Sequence, residues 1–152
     1  MKNLKKTLAI ALSGVMMVVA AVAFTGCFGG GGGGTKTDEK VGTWVLAYAQ
    51  DYYGQEISVT QSVKDSVYLK VESATKATFY FMDDDPFPGK LERYADRDSY
   101  YAQDGYKVQA YKLQGDDGYW ELVFVVPNDG SDSFWYLEIG ADQPESLFLQ
   151  RR

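Results

Sequence analysis

The sequence predicts an all-β fold: an eight-stranded antiparallel up-and-down β-barrel over about residues 41–152, preceded by a signal helix and a flexible glycine-rich tether. Three observations predict it. Apolar and polar residues alternate in short runs with the period of a strand, bounded by clusters of Gly, Asp, Asn and Pro. Helical periodicity is nearly absent, with room for one short helix around Ser58 to Lys64. The connections are short, which favours sequential antiparallel neighbours. Eight strands with one apolar face each close into a barrel or split into a sandwich, and closure alone removes exposed edges. Small barrels of this strand count hold side chains or one small ligand inside.

The elements follow in order. Thr43 to Ala49 is the first strand, with Trp44, Leu46 and Tyr48 on one face, and Gln50 to Asp65 is a longer segment containing the candidate helix. Ser66 to Glu72 alternates Val67, Leu69 and Val71 against Tyr68, Lys70 and Glu72, and Lys76 to Met82 sets Ala77, Phe79 and Phe81 against Thr78, Tyr80 and Met82. Asp83 to Gly89 reads as a loop, because two prolines and a glycine leave no regular option. Lys90 to Tyr94 is a short strand and Ala95 to Gly105 a polar connection. Tyr106 to Leu113 is a strand whose alternation breaks between Ala110 and Tyr111, which predicts a bulge. After a turn over 114–118, Tyr119 to Val126 carries Trp120, Leu122, Phe124 and Val126 on one face. Pro127 to Gly130 turns the chain, Ser133 to Ile139 aligns Trp135, Leu137 and Ile139, Gly140 to Glu145 turns it again, and Ser146 to Arg151 is the last strand.

The chain before the barrel has a different character. Lys2, Lys5 and Lys6 precede an apolar run from Leu8 to Phe24, and Phe24-Thr25-Gly26-Cys27 ends it. A charged start, an apolar core and small residues form the layout of a cleavable secretory signal. The run is 17 residues, at the short edge of a membrane span, and no charged flank follows it as a stop-transfer segment would require. Residues 24–27 resemble the lipobox of bacterial lipoproteins, with Phe24 where that motif usually has Leu. The resemblance implies a signal peptide over 1–26, lipidation of Cys27, and a cell-membrane, lipid-anchored location on the extracytoplasmic face. Cys27 is the only cysteine, so no disulfide forms within the chain, and two acyl chains on it would suffice for stable anchoring. Residues 27–40, with Gly29 to Gly34 at their centre, then form the lipid-anchored end and tether, with an r.m.s. reach of roughly 20 Å.

Composition excludes several function classes. Removing residues 1–26 takes three Lys from the 15 basic residues and nothing from the 21 acids, leaving 12 against 21 and a formal charge of -9. Such a chain has no electrostatic attraction for nucleic acid. It contains no histidine, which removes the commonest general base, the commonest transition-metal ligand and the usual partner of a nucleophilic Ser or Cys. The expectation is therefore a protein that is not an enzyme, with no catalytic residues, no cofactor and no metal. Asp83-Asp84-Asp85 lacks the spacing of a calcium loop, and Asp116-Asp117-Gly118 and Asn128-Asp129-Gly130 read as turn chemistry.

Gly42-Thr43-Trp44 at the start of the first strand, the longer segment after it, the strand meander and the closing Leu147-Phe148-Leu149-Gln150-Arg151 together resemble the bacterial lipocalin-like domains of small lipoproteins. The resemblance covers about residues 41–152. It implies that Trp44 packs at the closed end of the barrel with an arginine from the last strand, Arg151 or Arg152, across its ring. A guanidinium over an indole is a favourable pair. The function it implies is binding of a small apolar or amphipathic molecule without catalysis, with Trp120, Phe124 and Trp135 as interior candidates. The alternative is a cell-surface structural or interaction protein with a filled barrel that contacts another protein through its loops. An internal cavity separates the two. An even strand number also places both ends of the domain together. The connections at 50–65, 83–89, 114–118 and 140–145, which carry ten carboxylates against Lys64, then form an acidic rim facing away from the anchor.

Overall fold

The computed structural model describes residues 38–152. In chain order these form β1 (Gly42–Gln50), β2 (Glu56–Ile57), α1 (Gln61–Ser66), β3 (Val67–Ser73), β4 (Lys76–Phe81), β5 (Phe87–Arg93), a 3₁₀ turn (Ala95–Arg97), α2 (Asp98–Tyr101), β6 (Tyr106–Gly115), β7 (Gly118–Pro127), β8 (Phe134–Ile139) and β9 (Glu145–Arg151). Strands β1 and β3 to β9 pair antiparallel in sequence order, and β9 closes on β1. The result is a closed eight-stranded barrel with one extra strand, β2, which adds two residues to the end of β1 at Ala49↔Ile57 and Gln50↔Glu56.

The alternation read in the sequence becomes the inside and outside of the wall. Leu69, Leu113, Leu122, Phe124, Trp135 and Leu149 are fully buried in one interior cluster, together with Trp44, Phe79 and Trp120. Each such side chain stabilises the fold by about 1.5–3 kcal/mol through the apolar surface it removes from water. One inward position moves. The β1–β9 register shifts between Leu46 and Tyr48, a bulge that turns Tyr48 outward onto Phe148 (ring centroids 4.4 Å) and places Ala49 inside. The wall of β7, β8 and β9 is apolar on its outer face too: Val123, Val125, Phe134, Tyr136 and Phe148 form a second buried cluster beside Tyr48, Tyr101, Tyr106 and Val108.

Local chemistry explains the short elements. Thr60 caps α1, its Oγ1 accepting from Val63 N, and Lys64 lies in the last turn where the helix dipole favours a cation. The prolines do not make Phe87 to Gly89 a loop. Those residues open β5, and Pro88 sits opposite Thr78. The ladder to β6 begins only at Lys90↔Gln114, so the N–H missing from Pro88 breaks no bond on that side. Gly89 is needed there, since a Cβ would lie 2.6 Å from the Gln114 carbonyl oxygen. The bulge expected at Ala110 and Tyr111 is absent, and the β6–β7 ladder runs unbroken from Tyr106↔Pro127 to Gly115↔Gly118. Ala110 is apolar although it points outward because residues 95–101, helical rather than irregular, lie over it. Asp98 Oδ1 accepts from Ala110 N at 2.7 Å.

The registers place the connections. The near end of the barrel carries both ends of the described chain and the connections at 74–75, 94–105 and 128–133; the far end carries those at 51–66, 82–86, 116–117 and 140–144.

Candidate functional site

The signal segment 1–26, Cys27 and the glycine run lie outside the described residues. Asp38 to Lys40, the end of the expected tether, form a turn beneath the near end. Lys40 donates to Asp38 Oδ1 through both its backbone N and its Nζ, each at 3.0 Å, and Val41 N donates to Asp38 O. The Lys40 ammonium lies 5.3 Å from the Phe124 ring centroid and 5.9 Å from that of Tyr111. Burial lowers its pKa, but the Asp38 carboxylate and the Tyr111 hydroxyl together outweigh burial and hold it above the ordinary lysine value.

Trp44 packs directly above this turn. Its Nε1 donates to Lys40 O at 2.8 Å, and the Arg151 guanidinium stands 5.1 Å from its ring centroid. Arg151 Nη2 also donates to Glu39 O and Val41 O, at 2.8 and 2.5 Å. Gly42 makes room for this arrangement. Its φ is +144°, and a Cβ there would meet the Arg151 guanidinium at 3.4 Å. Arg152 takes a different place, its backbone N donating to Thr43 O while its side chain is exposed.

The interior candidates form two ring clusters. Phe124 and Trp135 lie 5.0 Å apart, and Trp135 also meets Tyr111 at 5.5 Å and Trp44 at 6.5 Å. Trp120 belongs to the far half of the barrel, 4.8 Å from Phe79 and in contact with Phe81 and Phe87. Ile57, Val59 and Val63, from β2, α1 and the chain between them, pack half-buried against the same core. Protein side chains therefore occupy the barrel at the three candidate positions. Trp135 Nε1 is the one buried side-chain nitrogen or oxygen among the described residues that has no hydrogen-bond partner.

The far end gathers Asp51, Glu56, Asp65, Asp83, Asp84, Asp85, Asp116, Asp117, Asp142 and Glu145, with Lys64. The exposed large apolar residues among those described, Tyr53, Met82 and Tyr119, also lie in or beside these far-end connections. Met82 has a left-handed backbone, φ 54°, which is costly for a residue with a Cβ. No set of three or more Cys, Asp or Glu among the described residues is grouped to hold a metal ion.

Sequence reasoning missed a polar network on the outer wall. Glu121 on β7 accepts from Arg97 Nε at 2.8 Å and Tyr101 Oη at 2.7 Å. Tyr136 donates to the Glu138 carboxylate, and Ser146 Oγ lies 3.2 Å from the Tyr136 hydroxyl. Burial raises the Glu138 pKa; the Tyr136 hydrogen bond opposes this, the Glu121 charge adds to it, and Arg97 works against it. The signal for this network was present, since Glu121 and Glu138 are lone acids inside otherwise apolar strands. What pointed to no site was the polar stretch at 95–105, whose Arg97 and Tyr101 reach β7 only through the fold.

No protein-family model matches this chain, nor does any curated protein or solved structure.

Proposed function

We propose that this chain is a membrane-anchored extracytoplasmic lipoprotein whose barrel is a filled, non-catalytic scaffold presenting its far-end loops to a protein partner. The observation that carries the reading is the interior itself. Trp44, Phe124 and Trp135 fill the near half and Phe79 and Trp120 the far half, so side chains take the space a ligand would use. Anchoring through acylated Cys27 rests on the lipobox resemblance, and it puts the near end toward the membrane because the described chain enters there. The far-end carboxylates then face outward and favour a cationic partner surface, an attraction that salt screens.

A second reading has one observation in its favour. The unpartnered Trp135 Nε1 is a donor that the carbonyl of a small amphipathic ligand would satisfy. Titration with the apolar fluorophore N-phenyl-1-naphthylamine separates the two. A filled scaffold shows no saturable binding, whereas stoichiometric binding with quenching of tryptophan emission overturns it. The anchor is tested by metabolic labelling with a fatty acid: label on the native protein must vanish in Cys27→Ser, and equal label in both refutes anchoring. An oligolysine peptide at low ionic strength probes the rim, where charge reversal of Asp83 to Asp85 should weaken binding; unchanged affinity counts against a cationic partner.

A further inference from the structure

Strands β7 and β8 part company halfway up the wall. Their ladder has the pairs Val123↔Tyr136, Phe124↔Trp135 and Val125↔Phe134. Yet β7 extends back to Gly118 and β8 on to Ile139, each still paired with its other neighbour. Two residues beyond Val123↔Tyr136, the same register would set Glu121 opposite Glu138. Both project from the outer face, and like charges directly opposite each other destabilise a strand pair. The ladder ends just before these two carboxylates would meet across it. The seam opens toward the far end between the connections at 116–117 and 140–144, both part of the acidic rim.

We propose that Glu121 and Glu138 hold this seam apart when both are ionised, and that one proton shared between them closes it. Glu138 takes the proton from solvent and donates it to the Glu121 carboxylate, converting repulsion into a charge-assisted hydrogen bond across the strands. The surroundings fix which of the two is protonated. Glu121 is already held as a carboxylate acceptor by Arg97 and Tyr101 from the β5–β6 connection. Glu138 has Tyr136 from its own strand, with the uncharged Ser146 of β9 behind it, and no ion pair of its own among the described residues. Its raised pKa has the sign this requires. Closing the seam draws the 116–117 and 140–144 loops together, so protonation reshapes the outward rim. The regulatory meaning rests on the proposed role of that rim; the seam itself does not.

The test is backbone hydrogen exchange on the full chain in detergent micelles, followed at residues 119–122 and 137–139 and corrected for intrinsic exchange. As pH falls from neutral through the titration of Glu138, protection of the seam-facing amides should rise about tenfold or more as their local opening becomes less favourable. Glu138→Gln should give the high protection across that whole range, while Asp142→Asn keeps the wild-type response. A wild-type seam indifferent to pH, or a Glu138→Gln seam that still responds, overturns the proposal. The carboxyl carbon shift of Glu138 in the unmodified protein supplies a measurement independent of any variant. Its titration must coincide with the change in protection, and a mismatch refutes the mechanism. Oligolysine binding measured alongside keeps the two ideas apart. A responsive seam with no binding removes only the rim, and binding with an unresponsive seam removes only the closure.

Discussion

Arg151 clasps Trp44 from the far terminus of the described chain, its guanidinium 5.1 Å from the indole centroid and its Nη2 bonded to the carbonyls of Glu39 and Val41. One side chain thereby joins the last strand, the first strand and the turn that enters the barrel. Arg151→Ala should cost about 0.5–2 kcal/mol through the lost cation–π contact and hydrogen bonds. Arg152→Ala should leave the urea midpoint unchanged, since Arg152 contributes its backbone N–H to Thr43 and the substitution keeps it. Equal effects at the two positions would remove the clasp.

Phe124 tests the filled interior. Its ring is fully buried between Trp44 and Trp135. Phe124→Ala should lower unfolding free energy by about 3–5 kcal/mol, the transfer term plus the cavity left by a large ring. A loss well below that range, measured by urea unfolding, would mean that the interior collapses easily and is not closely packed.

Two carboxylates should give pH dependences of opposite sign. Asp98 is held below the ordinary carboxylate range, first by its two-pronged bond from Arg93 and then by Ala110 N. A depressed folded pKa contributes stability above the ordinary value that is lost as pH falls through the folded one. The unfolding midpoint should therefore drop below about pH 4, and Asp98→Asn should flatten that drop. Glu138 has a raised pKa, so its contribution is present below the ordinary value and is lost as pH rises through the raised one. Glu138→Gln should raise stability at neutral pH and leave it unchanged in acid. Urea midpoints across the pH range check both signs.

Met82 carries a left-handed backbone in the far-end connection, with φ 54°, and the residue is 48% exposed. A side-chain-bearing residue pays roughly 1–2 kcal/mol for that conformation. Glycine avoids the strain but loses up to about 1 kcal/mol in unfolded-state entropy. Met82→Gly should stabilise the protein by up to about 1 kcal/mol, and Met82→Val should destabilise it. A glycine variant less stable than the parent in thermal melts would show that the side chain holds the loop.

The sequence determined the order of the eight antiparallel strands and most of the inside face, because alternation of period two is a local property of the wall. Trp120, Leu122 and Phe124 face inward as their spacing requires, and so do Trp135 and Leu137. Short connections between successive runs made neighbours of them, and the even count put the acidic connections together at the far end.

Tertiary structure decided whatever depends on two distant segments meeting. The bulge that turns Tyr48 outward exists only in the β1–β9 register. The strand character of Phe87 to Gly89 rests on where β4 and β6 lie beside it, and a proline pattern carries no information about that. The choice of Arg151 over Arg152 follows from Trp44↔Arg151 pairing, which sets one side chain over the ring and sends the next away. Glu121 and Glu138 are 17 residues apart in the chain, and only the β7–β8 register brings them to the two sides of one seam. Local pattern encodes which face a residue takes, while register and closure encode whom it meets. The chemistry of this protein lies in the second.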